Sequence, residues 1–135
     1  MISSVEECKI IQLPVHERGS AKLAAVSISE EVPWAIKRVF IIENNLQENR
    51  GDHAHKCCSQ FFIRTAGIVE INCRDGISEK NYVLATLNQA LLVPPGIWVK
   101  LAMGSQSAVT VLTDQHYDRG DYINDWEEFL EYKDI

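Results

Sequence analysis

The sequence has no long apolar run and no excess of positive charge. Its longest apolar stretches, residues 90–95 and 108–112, are far shorter than the roughly 20 residues that a membrane helix requires. Thirteen lysine and arginine residues stand against 19 aspartate and glutamate residues, which gives a formal net charge of −6. Binding to a nucleic-acid backbone requires a basic surface. We therefore expect a soluble protein whose main partner is neither a membrane nor a nucleic acid.

The amino terminus also lacks the features of a secretion signal. Residues 1–7 contain neither a basic region nor an apolar segment, which predicts a cytoplasmic protein. None of the four cysteines lies in a Cys-x-x-Cys sequence, although Cys57 and Cys58 are adjacent, so we expect reduced, mainly structural thiols. The chain has 135 residues and no linker or internal repeat. It is expected to form one domain over residues 1–135.

The sequence does contain a succession of short β-rich segments separated by turn signals, which is typical of a β-sandwich or barrel. The predicted strands are residues 9–13, 22–28, 36–43, 60–64, 68–73, 81–84, 90–93, 98–101 and 108–112. Asp75-Gly76 predicts a hairpin, because both residues tolerate a positive φ. Pro94-Pro95-Gly96 predicts a break in the strand pattern before Trp98. Nine short strands favour a closed, all-β fold.

The carboxyl-terminal segment follows a helical pattern instead. Five apolar residues recur at the spacing of one helix face: Tyr122, Ile123, Trp126, Phe129 and Leu130. Asp121 stands where an N-cap is expected, and its acidic neighbours suit the start of a helix. We therefore predict a short C-terminal helix that packs on the barrel.

Two histidines, His53 and His55, are separated by a single residue. On a strand, residues i and i+2 project from the same face, so both imidazoles can reach one ligand atom or one metal ion. Histidine also titrates near neutral pH, which suits a pair of imidazoles to moving protons. Because Arg50 and Lys56 flank the pair, we favour a functional role over two histidines that are simply hydrogen-bonded in the core.

The spacing around the histidines resembles the first cupin motif, in which His-x-His is followed by an acidic residue and then by glycine. Gln60 replaces the acid, and Gly67 stands at the glycine position. Pro94-Pro95-Gly96 resembles the second cupin motif, but Val99 stands where that motif has a third histidine. The resemblance implies a cupin barrel, that is, a jelly roll or double-stranded β-helix. Two imidazoles and an amide are a poor ligand set for the metals that cupins hold, so we expect no metal.

Residues 18–130 resemble a narrower group, the WxcM-like nucleotide-sugar 3,4-ketoisomerases. The resemblance is carried by Arg18-Gly19-Ser20, residues 33–40, residues 50–56, Gln60, Asp75-Gly76, residues 94–98 and residues 116–130. It implies an isomerase that moves the keto group of a dTDP-linked 4-keto-6-deoxyhexose from C4 to C3, for deoxysugar and O-antigen biosynthesis. His53 and His55 would act jointly through an enediol. No cofactor is implied, and the absence of a Gly-x-Gly-x-x-Gly sequence agrees.

The resemblance also implies six substrate-binding residues: Arg18, Arg38, Phe40, Arg50, Gln60 and Trp98. The three arginines are candidates for the diphosphate, since guanidinium groups bind phosphate oxygens through paired hydrogen bonds. Trp98 would line the sugar or base pocket, or would simply pack in the core. Phe40 stands where family members often carry tyrosine. Further departures from the family are Val99, Asp114 and Asn124, where histidine, serine and arginine are common.

Two other hypotheses are consistent with these residues. The barrel could bind a sugar nucleotide without chemistry, or it could be a metal-dependent cupin oxygenase. Relatives of this kind resemble obligate homodimers, and the predicted strand at residues 9–13 suits addition to a partner's sheet edge. The exact nucleotide and sugar, the C4 configuration of the product and the order in which the histidines act are left open by the sequence.

Overall fold

The computed structural model describes residues 3–135, and its regular structure is mainly antiparallel β-sheet. The elements are β1 (Lys9–Gln12), β2 (Val15–Arg18), β3 (Ala21–Ala24), β4 (Arg38–Asn44), β5 (Glu48–His55), β6 (Gln60–Ala66), β7 (Val69–Arg74), β8 (Glu79–Leu84), β9 (Gln89–Val93), β10 (Trp98–Met103), β11 (Ser107–Thr113), β12 (Tyr122–Ile123) and α1 (Trp126–Tyr132). Short 3-10 turns at Val5–Glu7 and Arg119–Asp121 precede β1 and β12.

Two five-stranded sheets form the barrel. The first has the strand order β1-β9-β6-β11-β4, and the second has the order β12-β5-β10-β7-β8. Buried apolar side chains from both sheets fill the space between them, including Phe62 and Val111 from the first sheet and Ile71 and Leu101 from the second. The predicted all-β barrel is therefore confirmed, and the short C-terminal helix that was predicted with it is present.

Each of the nine predicted strands overlaps an observed strand. The Asp75-Gly76 turn joins β7 to β8, with the Asp75 N–H donating to the Ser78 carbonyl at 3.1 Å and Gly76 at φ +99°. The predicted strand at residues 22–28 ends at Ala24 and pairs with β2 in a separate two-stranded hairpin. Sequence reasoning did not predict β2.

The strand that carries the histidines, β5, was also absent from the predicted list. Its first five residues, Glu48 to Asp52, are polar and include a glycine, which is a composition typical of loops. They form a strand because Glu48 to Gly51 pair with Met103 to Lys100 of β10, although all five residues are exposed. Pairing with a neighbouring strand therefore overrides the local preference.

The predicted start of the C-terminal helix is wrong. The helix begins at Trp126, and its N-cap is Asp125, whose carboxylate accepts a hydrogen bond from the Glu128 N–H at 3.0 Å. Tyr122 and Ile123 instead form β12, which pairs with the end of β5. The helical spacing was misleading because Ile123 of the strand and Phe129 of the helix pack in one buried cluster although they belong to different elements. Asp121 is therefore not the cap of this helix, and its side chain can turn towards the barrel.

Helix α1 packs on the outer face of the second sheet and ties the chain ends to it. Phe129 is buried there with Ala54, Trp98 and Ile123. The buried Lys133 ammonium donates hydrogen bonds of 2.6 Å to the carbonyls of Ser3 and Gly96. The Gly96 N–H donates in turn to the His55 carbonyl at 2.7 Å. Hydrogen bonds therefore connect Lys133 to the histidine strand through Gly96.

Within residues 3–135, no helix is both long enough and apolar enough to cross a membrane. All four cysteines are free thiols, and Cys57 is the exposed one.

Candidate active site

An open cavity of about 290 Å³ lies where β4 and β6 of the first sheet approach β5 and β10 of the second. It is lined by both polar and apolar residues: Arg38, Phe40, Ile41, Ile42, Arg50, Gly51, His53, Gln60, Phe62, Val99, Leu101 and Tyr122. Five of the eight predicted site residues are in this lining: Arg38, Phe40, Arg50, His53 and Gln60. The fold thus gathers residues from three separate strands around one opening.

The two imidazole rings lie side by side on β5, as the i, i+2 spacing predicts. Their centroids are 5.2 Å apart and their planes are nearly perpendicular, at 79°. Tyr122, from β12, lies against both rings, with centroids 4.8 Å from His53 and 4.3 Å from His55. His53 faces the open cavity, whereas His55 lines a much smaller adjoining space that shares Arg38, Phe40, Gln60 and Tyr122 with it.

His55 is held by a buried carboxylate. Its Nδ1 lies 3.0 Å from Oδ2 of Asp121, and the two side chains are only 8% and 9% exposed. The same carboxylate accepts the backbone N–H groups of Cys57, at 2.7 Å, and Cys58, at 3.3 Å. An ionised carboxylate only accepts hydrogen bonds, so the proton sits on Nδ1 and the lone pair on Nε2. That Nε2 is buried and has no hydrogen-bond partner, which leaves it able to accept a proton.

The environment keeps both imidazoles neutral at neutral pH. Burial, and next the neighbouring His55, lower the pKa of His53 to about 4, against opposing contributions from the Gly51 carbonyl and Asp52. Burial likewise lowers the pKa of His55, while the hydrogen bond and charge of Asp121 oppose the shift and Arg38 adds to it. A neutral imidazole can take up a proton from a reacting carbon and return it, so the pair is suited to general acid and base catalysis.

The lowered pKa of His53 predicts a pH-dependent stability. Unfolding restores the usual value of 6.5, so the unfolded chain binds more protons than the folded chain between about pH 4 and 6.5. Stability contributed by neutral His53 should therefore be lost as the pH falls through this range. We expect His53→Asn to lose less unfolding free energy than the wild type between pH 7 and pH 4.5 in urea titrations. Equal losses in the two proteins would contradict the prediction.

Two groups of residues invite a test for a metal site. At the cupin ligand positions this chain places His53, His55, Gln60 and Val99, and Val99 offers no donor atom. That set does not fit a first-row metal. A second group comprises His55, Cys58 and Asp121, whose candidate donor atoms lie within 4.8 Å of one another.

This second group does not fit a metal either. Burial, followed by the charges of Asp114 and Asp121, raises the pKa of Cys58 to about 11, so its thiol stays protonated, whereas metals bind the thiolate. The Asp121 carboxylate is already occupied by three hydrogen bonds. The Cys58 thiol donates to the Ser59 carbonyl at 3.4 Å, so neither the thiol nor the carboxylate is available to a metal.

Two predicted substrate-binding residues lie outside the cavity. Arg18 is exposed on β2, in the separate two-stranded hairpin, and does not line the cavity. Trp98 is 3% exposed, and its Nε1 donates to Asp52 Oδ1 at 2.8 Å on the outer face of the sheet. Side chains alternate along β10, so Val99 points into the cavity and Trp98 points towards α1. The assignment of Trp98 to the pocket is therefore corrected, and its packing alternative is the right one.

Two residues of the site were not recognised as such from the sequence. Asp121 was predicted to be a helix cap, and Tyr122 a residue that packs on the barrel. Both lie 66 or more residues beyond His55 and His53 along the chain. The Asp121-Tyr122-Ile123 sequence was noted as part of the family resemblance, and this was the signal that could have marked them.

The fold and the histidine pair at an open cavity define a small barrel of the cupin type. The model of the family described as "FdtA: WxcM-like, C-terminal" matches residues 6–134, and the chain belongs to this family. The family predicted from the sequence is thereby confirmed.

Relatives of known structure or name agree with this assignment. The chain is 31% identical over 120 residues to the TDP-4-oxo-6-deoxy-alpha-D-glucose-3,4-oxoisomerase of Aneurinibacillus thermoaerophilus, covering 87% of this chain and 85% of that protein. The structure of a 3,4-ketoisomerase from Helicobacter canadensis matches with a TM-score of 0.91 and 28% identity over 96% of this chain and 98% of that one. QdtA, a sugar 3,4-ketoisomerase from Thermoanaerobacterium thermosaccharolyticum solved in complex with TDP, matches with a TM-score of 0.91 and 23% identity over 97% of each chain. These likenesses confirm the predicted cupin-type fold.

Proposed function

We propose that this protein is an isomerase that moves the keto group of a dTDP-linked 4-keto-6-deoxyhexose from C4 to C3, in the biosynthesis of deoxysugars for surface polysaccharides. The observation that carries the proposal is the pair of neutral imidazoles beside the cavity, one of them oriented by Asp121 with its Nε2 unpaired. Support also comes from two relatives, one named as a TDP-4-oxo-6-deoxy-alpha-D-glucose-3,4-oxoisomerase and the other as a 3,4-ketoisomerase.

The reaction requires only the movement of protons. The C4 ketone acidifies the C3 hydrogen, an imidazole removes it as a proton, and the C3–H bond electrons form the enediolate. A proton passes from the C3 hydroxyl to the C4 oxygen, and an imidazolium then delivers a proton to C4. The C3–H bond is replaced by a C4–H bond, so no external oxidant or reductant is needed. His53 and His55 share these roles as a coupled pair.

Arg38 and Arg50 are the proposed partners of the diphosphate. Both line the cavity. Because the chain as a whole is acidic, an anionic ligand needs positive side chains at its binding site, and these two arginines supply them. The Arg38 guanidinium lies over the rings of Phe40, at 4.6 Å, and Tyr117, at 5.2 Å, which limits its freedom before binding. Gln60 and Phe40 are proposed to contact the sugar.

The direct test is incubation with dTDP-4-keto-6-deoxyglucose in deuterium oxide, followed by proton NMR. We expect a 3-keto product and deuterium at C3 or C4 of the ring. An absence of exchange with every 4-keto sugar nucleotide tried would contradict the proposed reaction.

Binding without catalysis is the second candidate function, and one observation favours it. Phe40 lines the cavity beside the histidines and supplies no hydroxyl group where family members often have one. Tight binding of dTDP without turnover would support this candidate. Phe40→Tyr would then be expected to restore exchange.

We propose further that catalysis is independent of metal, because the donor sets described above do not suit one. Elemental analysis should give well under one metal per chain, and activity should survive chelation. Loss of activity on chelation, with recovery on adding a divalent metal, would support a metal-dependent cupin instead.

We also propose a homodimer. β1 and β4 are the two edges of the first sheet, and Val39 and Ile41 of β4 are 55% and 67% exposed. Unpaired strand edges with exposed apolar residues favour association with another copy. Light scattering after gel filtration should give twice the chain mass of 15.3 kDa. A monomer would contradict this proposal alone.

A further inference from the structure

Strand β5 is irregular immediately before His53. Val99 of β10 pairs with His53, but the next residue, Lys100, pairs with Gly51, so Asp52 has no partner on β10. This arrangement is a β-bulge, and Gly51 and Asp52 have φ values of +80° and +73°. A left-handed conformation is unfavourable for a residue that has a side chain. Bulges redirect the side chains next to them, so this one bears on the direction of His53.

A hydrogen bond from a buried residue holds the bulge. Trp98 Nε1 donates to Asp52 Oδ1 at 2.8 Å. The Trp98 ring is 3% exposed and packs against two aromatic rings of α1, with centroids 5.3 Å from Trp126 and 5.5 Å from Phe129. A side chain fixed on several sides loses little further entropy on making a hydrogen bond. The exposed Asp52 is therefore attached to a rigid donor.

The other side of the bulge faces the cavity. Gly51 lines the cavity beside His53, and its backbone raises the pKa of the His53 ring, in opposition to the larger lowering by burial. A side chain at Gly51 would place its first carbon 3.1 Å from the Val99 carbonyl oxygen, which leaves the backbone little room to shift in that direction. The bulge at Gly51 and Asp52 therefore lies immediately before His53 and borders the cavity that His53 faces.

We infer that the hydrogen bond between Asp52 and Trp98 fixes the bulge in β5 and thereby sets the orientation of the His53 imidazole. The inference rests on the proposed function for its catalytic consequence. Asp52 and Trp98 are positioning residues, since neither lies in the cavity lining. Misplacing a catalytic group by about 1 Å can reduce a rate by about a hundredfold.

The test compares two matched substitutions, Trp98→Phe and Trp126→Phe. Both remove an indole N–H from the same aromatic cluster, but only Trp98 is hydrogen-bonded to Asp52. We expect Trp98→Phe to lower kcat about 10- to 100-fold, with KM changed less than about threefold. Trp126→Phe should keep kcat within about threefold of the wild type. Equal kcat values for the two variants would overturn the inference.

Substitutions of the exposed Asp52 provide the second arm and do not disturb the buried cluster. Asn keeps an oxygen acceptor and tolerates a positive φ, whereas Gly keeps the backbone conformation and loses the acceptor. Asp52→Asn should therefore retain kcat within about threefold, and Asp52→Gly should lose as much as Trp98→Phe. The double variant Asp52→Gly/Trp98→Phe should lose no more than either single variant, because the two residues act through one bond. Additive losses would contradict a shared role.

NMR of the ¹⁵N-labelled histidine rings gives a readout that needs no substrate. In the wild type and Asp52→Asn, the His53 ring should show the same single tautomer. In Asp52→Gly, a mixture of tautomers is expected. An unchanged His53 spectrum would overturn the inference. If the wild type exchanges no deuterium, the proposed function fails, and this spectrum still decides the positioning role.

Discussion

Replacing His53 with asparagine is expected to reduce turnover of a 4-keto sugar nucleotide at least about a thousandfold. A positioned acid or base contributes about 10² to 10⁴ to a rate, and His53 is the imidazole that faces the open cavity. Asparagine is smaller but still polar, and it cannot exchange a proton near neutral pH. Deuterium incorporation at C3 and C4, followed by proton NMR, measures the loss directly.

The control for this change is His16→Asn. His16 is exposed on β2 and lines neither the open cavity nor the smaller space beside it, so the same substitution should leave kcat within about threefold. Calorimetry with TDP should show that His53→Asn still binds the nucleotide. Retention of more than a tenth of the wild-type rate would remove His53 from the mechanism.

The second large effect is expected for Asp121→Asn, which should lower kcat by about 10² to 10³. In a Ser-His-Asp triad, the corresponding change costs about 10⁴ because the histidine adopts the wrong tautomer. Here an amide N–H would face Nδ1 of His55, so the ring proton would move to Nε2 and the base would be lost. A smaller effect is expected than in a triad, since His53 also serves the reaction.

Asp125→Asn is the matched control for Asp121→Asn. Asp125 is the N-cap of α1, where asparagine is as good a cap as aspartate, so activity and melting temperature should be unchanged. NMR of the His55 ring should show the proton on Nδ1 in the wild type and on Nε2 in Asp121→Asn. If the tautomer changes and kcat does not, His55 does not act as a base in the reaction.

Local patterns predicted the strands well but misread the segments that build the site. The β-rich segments from β6 to β11 were predicted because alternating side chains and turn residues act over a few positions. Strand β5 was missed because its polar first half forms a strand only through pairing with β10. The residues after Asp121 were predicted as a helix because β12 happens to continue the apolar spacing of α1.

The candidate site divides in a similar way. The His53 and His55 pair could be predicted, because the geometry of a single strand places residues i and i+2 together. The partner of His55 could not, because Asp121 reaches it across 66 positions, and a capping role explained that aspartate equally well. The direction of Trp98 was equally undetermined, since shifting a strand by one residue exchanges its two faces.

The sequence by itself determined that this protein is an all-β barrel of one family, with two histidines on one strand face and no third histidine near Gly96. These properties depend on the order of neighbouring residues and on motifs of fixed spacing. Only the tertiary structure decided that Asp121 orients His55, that Tyr122 lies against both rings and that Trp98 holds the bulge from outside the cavity. Each of these contacts joins distant segments, and which side chains meet there depends on how the strands pair and on which way each strand faces.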